Sequence, residues 1–264
     1  MNESNNGMAL SLRNYRGKKL VSFLRNDDYA HAGEEESIIR VIHKFPKNPH
    51  RTILDVGCGL GGTAQFIQEN GWGQVTGIDI EKESIEYAKK HYPTIEFYVS
   101  DVVECDKILP DKKFDLICLF NAFYAFQDQK TALIALSNIA HKLSSLVIFD
   151  YSDPMVDSIN PLFRESSKTT TCFKPVKIST IKSELLSAGW VLSEIIDISH
   201  DYARWYASLL NKLSDNKEFI ISAYSQAAYD KAHKAYSEIY HATINKTLGG
   251  IIIYAAKKGH VDAN

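Results

Sequence analysis

Eleven residues, Thr52-Ile-Leu-Asp-Val-Gly-Cys-Gly-Leu-Gly-Gly62, restrict what this chain can become more than any other stretch. Ile53, Leu54 and Val56 make a short apolar run, the pattern of a buried strand. The run stops at Gly57, Gly59, Gly61 and Gly62, and Thr63 to Asn70 follows with helical spacing up to a stop at Gly71. Strand, glycine turn and helix form a loop where backbone approaches a ligand closely, because glycine has no Cβ and tolerates positive φ. The glycines also fit the dinucleotide fingerprint G-x-G-x-x-G. Asp55 narrows the choice. A carboxylate two residues before the first glycine lies at the strand's carboxyl end, where it repels a pyrophosphate and favours a cationic ligand with an ammonium group.

The alternation of strand and helix continues, which indicates a parallel sheet covered on both faces. Strands are expected near 52–57, 74–79, 95–99, 114–119 and 145–150, and helices near 62–70, 82–91 and 128–142. Upstream, Leu12 to Leu24 has the makings of a short helix, Asp27 to Gly33 breaks it, and Glu34 to His43 resumes it with three acids at its positive end. Ser152 to Lys174 carries two prolines and no period, so it reads as an insertion. A helix over Ser179–Ala188 and a strand over Trp190–Ile198 follow, and Gly250 to Ala256 closes the sheet. The helical, tyrosine-rich stretch 200–246 exceeds an ordinary loop several-fold, and connections of that length often act as lids. The expected organisation is an N-terminal arm over 1–50, a core over 51–199 and 247–258, and a helical cap over 200–246. The alternative for the cap is a dimerisation arm, and the chain is expected as a monomer or homodimer.

Composition removes several classes of function. A formal net charge of −2 leaves no electrostatic footprint for nucleic acid. The four cysteines, Cys58, Cys105, Cys118 and Cys172, form no C-x-x-C pair, so neither a metal site nor a disulfide framework is indicated. Cys58 and Cys118 fall in expected core strands as small hydrophobes. The polar start, Met1 to Gly7, lacks a signal peptide's apolar run, and no stretch reaches the roughly 20 apolar residues of a membrane span. A cytoplasmic location is the default expectation.

The Asp55-x-Gly57-x-Gly59-x-Gly61 string resembles the first motif of class I S-adenosylmethionine-dependent methyltransferases. Three further segments fit in order. Gln74 to Ile80 ends at Asp79, at the spacing of an acid that grips ribose hydroxyls. Ile95 to Asp101 carries an acid just past a strand, where the family holds the adenine amino group. Phe114 to Phe120 is the strand that exits beside the transferable methyl. The resemblance implies a Rossmann-like α/β fold: a mostly parallel sheet with an antiparallel last strand, helices on both faces and a helical cap. It implies S-adenosylmethionine as cofactor and S-adenosylhomocysteine as product. Asp55, Gly57, Gly59, Asp79, Ile80, Asp101, Val102 and Phe120 should frame the cofactor.

The flanks resemble the phosphoethanolamine and sarcosine/dimethylglycine N-methyltransferase branch. Asn14-Tyr15 matches that branch's arm tyrosine, and Asp28 to Gly33 its segment over the cofactor, which adds His31 to the cofactor contacts. Ile148-Phe-Asp-Tyr151 matches a strand end whose tyrosine reaches substrate. Tyr15, Asn121 and Tyr151 are the expected catalytic residues. The chain departs from the branch where Phe120, Asn121 and Ala125 replace an arginine, an aspartate and a histidine. Without that histidine the branch's Tyr–His dyad cannot form, and the aromatic string Phe120 to Phe126 suits a flatter, more apolar or onium-like acceptor. Methyl transfer from a sulfonium is an in-line displacement, so the protein chiefly positions and desolvates a nucleophile. An amine must arrive neutral, and aromatic faces can hold the cation formed. The expected function is methyl transfer to a small molecule, an amine first. The rivals are O- or C-methylation of an aromatic or lipid acceptor, and an inactive cofactor-binding partner subunit.

Overall fold

A computed structural model describes residues 11–154 and 173–259. Most of the expected insertion, Cys172 and the polar start lie outside the described residues. The chain opens with α1 (Tyr15–Arg25) and α2 (Glu34–Ile42), then alternates β1 (Thr52–Val56), α3 (Gly62–Glu69), β2 (Gln74–Asp79), α4 (Lys82–His91) and β3 (Glu96–Val99). A short α5 (Cys105–Ile108) leads to β4 (Phe114–Phe120), α6 (Gln129–Asn138) and β5 (Ala140–Asp153). After the two-residue β6 (Val176–Lys177) come α7 (Ile178–Ser187) and β7 (Trp190–Asp197). Three helices, α8 (Ser199–Asp215), α9 (Lys217–Ala223) and α10 (Gln226–Ile244), precede the last strand, β8 (Gly249–Lys257).

The strands form one sheet in the order β3-β2-β1-β4-β5-β8-β7, with β6 beside β5. β8 pairs antiparallel with both β5 and β7, and the other pairings are parallel. β1 and β4 are buried on both faces, which is why they read as continuous apolar runs and not as alternating ones. Alternate residues of each strand supply two cores. Ile53, Leu116, Cys118 and Phe149 pack on one face with residues of α1–α4 and α8–α10. Leu54, Ile117, Leu119 and Ile148 pack on the other with residues of α5–α7.

One expectation is corrected. The helix expected to Lys142 ends at Asn138, because Ala140 already pairs with Phe114 and the chain is extended from there. The cap begins on the sheet itself. Tyr202 of α8 is fully buried, and a Cβ on Gly250 would meet its ring at 2.3 Å. The first turns of α8 therefore cover the sheet. The arm is stitched to this helix: Trp205 Nε1 donates to Glu36 at 3.0 Å, Arg204 donates to Glu36, and Arg40 pairs with Asp201.

Candidate active site

The sheet order reverses between β1 and β4, and in open α/β sheets ligands bind outside the carboxyl ends of strands at such a point. A cavity of about 970 Å³ lies there. Its first half is built by local sequence. Gly57, at φ +75°, passes so close to Ala122 that a Cβ would stand 2.6 Å from the alanine methyl. Gly59, at φ +56°, turns its N–H to Asp79 Oδ2 at 2.9 Å. Gly57, Gly59, Asp79, Ile80, Asp101, Val102 and Phe120 all line this cavity, as expected from their strand ends.

Asp55 lies beneath that floor. It is 1% exposed and is not on the wall, and its Oδ2 has no hydrogen-bond partner among the described residues. Burial, with the charge of Asp79 adding to it, raises its pKa to about 7. An orphaned buried carboxylate oxygen under a glycine turn is what a site for an ammonium-bearing ligand requires. The acid on β2, the acid past β3 and the glycine cradle complete a donor and acceptor set that fits S-adenosylmethionine.

Asn121 stands at the exit of β4 with φ +48°, a left-handed conformation that asparagine tolerates better than most residues. Its Oδ1 accepts from Ala32 N–H at 3.0 Å and its Nδ2 donates to Tyr202 Oη at 2.8 Å. The amide thus joins the arm, β4 and the cap while also lining the cavity. Asp150 supports this turn from behind. Its carboxylate accepts from the N–H groups of Tyr151 (2.7 Å) and Tyr124 (3.1 Å), and burial, outweighing those bonds, raises its pKa to about 7.

The second half of the cavity is aromatic. Tyr124 meets Tyr151 edge-on at 5.0 Å and Phe173 at 5.1 Å, and Tyr206 stacks on Tyr236 at 6.0 Å. The Tyr151 and Tyr206 hydroxyls bond to each other. Burial pushes both phenols well up, so they stay protonated. Arg13 lies over the Tyr124 ring, 4.8 Å from its centroid. Of the expected aromatic string, Tyr124 and Phe126 line the cavity, while Phe123 is fully buried in the core.

Two expected site residues stand elsewhere. Tyr15 does not line the cavity, and its ring lies 5.8 Å from Tyr87 of α4. The helical phase decides this: Lys18 and Val21, three apart, take the inward face of α1, and Tyr15 and Lys19, four apart, take the face toward α4. His31 is behind the wall. Its Nδ1 lies 3.1 Å from the Ala32 carbonyl and its Nε2 2.9 Å from the Thr63 hydroxyl. Burial lowers its pKa to about 3, so it is a neutral core histidine. Sequence reasoning missed Arg13, Lys18, Asp150, Tyr206 and Tyr236. Only the last two left a trace, in the spacing Tyr202–Tyr206 and Tyr229–Tyr236 along one helix face each.

A methyltransferase domain family matches residues 47–258. The chain belongs to this family. Its cofactor is S-adenosylmethionine, and its fold is that of the Rossmann-like class I enzymes. Phosphoethanolamine N-methyltransferase of Plasmodium falciparum is 23% identical over 224 residues, covering 77% of this chain and 81% of that enzyme. A putative methyltransferase of invertebrate iridescent virus 6 matches at 27% identity over 49% of this chain and 46% of that protein, and the match to a maize phosphoethanolamine N-methyltransferase, 24% identical, covers 82% of this chain but only 44% of that enzyme. Among solved structures, a Haemonchus contortus phosphoethanolamine N-methyltransferase with phosphomonomethylethanolamine and S-adenosylhomocysteine superposes with a TM-score of 0.79 at 17% identity. The match covers 94% of this chain and 60% of that one. A cyclopropane synthase of Mycobacterium tuberculosis gives 0.80 at 17% identity over 96% and 100% of the two chains. At such identities the superpositions establish the fold. Among the described residues no helix is long and apolar enough to cross a membrane.

Proposed function

We propose that the chain transfers the methyl group of S-adenosylmethionine to the nitrogen of a small amine held in the aromatic half of the cavity. The observation that carries this is the set of rings, Tyr124, Tyr151, Phe173, Tyr206 and Tyr236, gathered beside the exits of β4 and β5. Ring faces stabilise the positive charge that an alkylated nitrogen acquires, by about 0.5–2 kcal/mol for each well-placed ring. The relatives that act on phosphoethanolamine support the same class of acceptor.

When bound, the cofactor supplies the electrophilic methyl. The protein's part is placement. With the cofactor bound, Asp79 and Asp101 would accept from the ribose and the adenine, Asp55 would favour the ammonium of the amino-acid end, and Phe120 would line the side of the transferable methyl. Asn121 and Asp150 hold the β4 and β5 exits at fixed separation, which sets the approach of the nucleophile. None of the tyrosines in the aromatic half is a base, since burial keeps them protonated, and His31 is walled off. The amine therefore sheds its proton before it enters, and burial among the rings favours the neutral form. Arg13 and Lys231 line the same cavity and suit an acceptor with an anionic far end. The described part of the arm, from Ser11 onward, and the cap over 200–246 act together as the cover of this pocket.

A second reading, methylation of an apolar carbon or a phenol, is favoured by the apolar character of the same rings and by the cyclopropane synthase fold. Turnover of methyl-labelled cofactor against matched panels of amines, phenols, carboxylic acids and unsaturated lipids separates the two. Product on amines alone supports N-methylation. Product only on phenols or lipids, or binding without turnover anywhere, refutes it.

A further inference from the structure

Lys18 of α1 is buried and lines the cofactor half of the cavity, with its Nζ 2.9 Å from Asp79 Oδ2. Asp79 is already well supplied. Oδ2 also accepts from Gly59 N–H at 2.9 Å, and Oδ1 accepts from Glu81 N–H at 2.9 Å. A carboxylate offers about four acceptor directions, two on each oxygen, so only one remains, on Oδ1. A vicinal diol that grips an acid through both oxygens needs one direction on each. The two backbone donors cannot withdraw without unmaking the glycine turn and the start of α4. The lysine can, because its four-carbon stem is flexible and, among the described residues, its Nζ bonds to Asp79 alone.

We propose that Lys18 is a built-in competitor for the acid that holds the cofactor's ribose. It weakens the binding of cofactor and product, and its displacement frees the middle of α1 from β2. This rests on Asp79 as the ribose acid and does not depend on which acceptor is methylated. The neighbouring polar ties of α1 run to α4, where Lys19 Nζ donates to Tyr87 Oη at 2.9 Å and the Tyr15 ring lies against Tyr87, while Leu20 and Leu24 anchor its other face in the core. The residues leading into α1, Leu12 and Arg13, line the aromatic half. Entry of the cofactor is thereby felt at the acceptor end through one helix. The ammonium charge opposes the sulfonium of the cofactor and not the neutral thioether of the product, so removing it should favour the cofactor more.

The test is calorimetry of S-adenosylmethionine and S-adenosylhomocysteine binding to the full chain, with Lys18→Met, Lys18→Gln, Lys18→Arg and Asp79→Ala. Both neutral variants should bind S-adenosylhomocysteine about threefold or more tightly than the parent, with a larger gain for S-adenosylmethionine, and Lys18→Arg should stay near the parent. Hydrogen exchange over residues 15–25 should rise when product is added to the parent. In Lys18→Met it should be high from the start and unresponsive. Equal or weaker binding by both neutral variants overturns the proposal, because a structural anchor or a direct ligand contact gives that result. Undiminished binding by Asp79→Ala removes Asp79 as the ribose acid, and the proposal falls with it.

Discussion

Asp55 permits a prediction with a definite sign. In the folded chain its pKa is raised to about 7 from an ordinary 3.8, first by burial and then by the charge of Asp79. The folded state therefore binds more protons than the unfolded chain between those two values. Its contribution to stability is full below about pH 4 and is lost as pH rises through about 7, by up to roughly 4 kcal/mol at 1.36 kcal/mol per pH unit. A ligand that sets an ammonium beside the orphaned Oδ2 reverses the preference, because it favours the ionised acid. An α-amino group has a pKa near 8, so at pH 6 the cofactor arrives already protonated, and the proton that leaves on binding is that of Asp55. With a free-state pKa of about 7 the acid is roughly 90% protonated at pH 6, so binding should release about 0.9 proton there and close to none from this acid at pH 8.5. Calorimetry in two buffers of different ionisation enthalpy reads that number directly. Asp150 also titrates near 7, but it does not line the cavity and should keep its proton balance on binding. Asp55→Asn should abolish the release, bind cofactor at least tenfold more weakly, and gain stability relative to the parent above pH 7. A parent that releases no proton at pH 6, or an Asp55→Asn variant that releases as many as the parent, refutes the placement of the amino-acid end over Asp55.

Three other substitutions have expected outcomes. Asn121→Ala leaves the Ala32 N–H and the Tyr202 hydroxyl without their partner and forces alanine to φ +48°, so urea denaturation should give a loss of roughly 2–4 kcal/mol, with Asn121→Gly recovering about 1 kcal/mol of it. Gly33→Ala sets a Cβ 2.6 Å from the Trp205 ring at φ +81°, and thermal melting should show a loss of about 1–3 kcal/mol together with weaker docking of the arm on α8. Tyr151→Phe or Tyr206→Phe alone strands a buried hydroxyl and should cost about 1 kcal/mol, whereas the double change should cost no more than either single one, since neither group is then left unpaired. Additive losses in that cycle would show that the two hydroxyls are not partners.

The two halves of the site differ in how far sequence alone reveals them, and the reason is the distance along the chain over which each is assembled. The cofactor half is made at strand ends. Each of Gly57, Gly59, Asp79, Ile80, Asp101 and Val102 lies at or within three residues of the end of a strand, so finding the strand also finds the residue. The aromatic half comes from the turn after β4, from β5, the segment at Phe173, α8 and α10, and no short string brings these together. Tyr15 and His31 lie off the cavity wall for a related reason. A matching string places a residue on the right element, but which way it faces depends on helical phase and on local partners. For α1 the phase sends Lys18 inward and Tyr15 outward. For His31 the Ala32 carbonyl and the Thr63 hydroxyl satisfy both ring nitrogens away from the ligand. Asp55 shows the opposite case. Its position two residues before Gly57 was legible, but its value as a site residue comes from an absence of partners, which only the packed structure reveals. A buried acid with an unsatisfied oxygen costs the fold stability at neutral pH, and a ligand ammonium bound over the glycine turn would offset that cost. The same reasoning applies to Lys18 in reverse, because there a partner is present where the ligand needs an acceptor. On the proposed reading, binding strength in this site is set by Asp55 Oδ2, which has no donor among the described residues, and by Asp79, which has one too many.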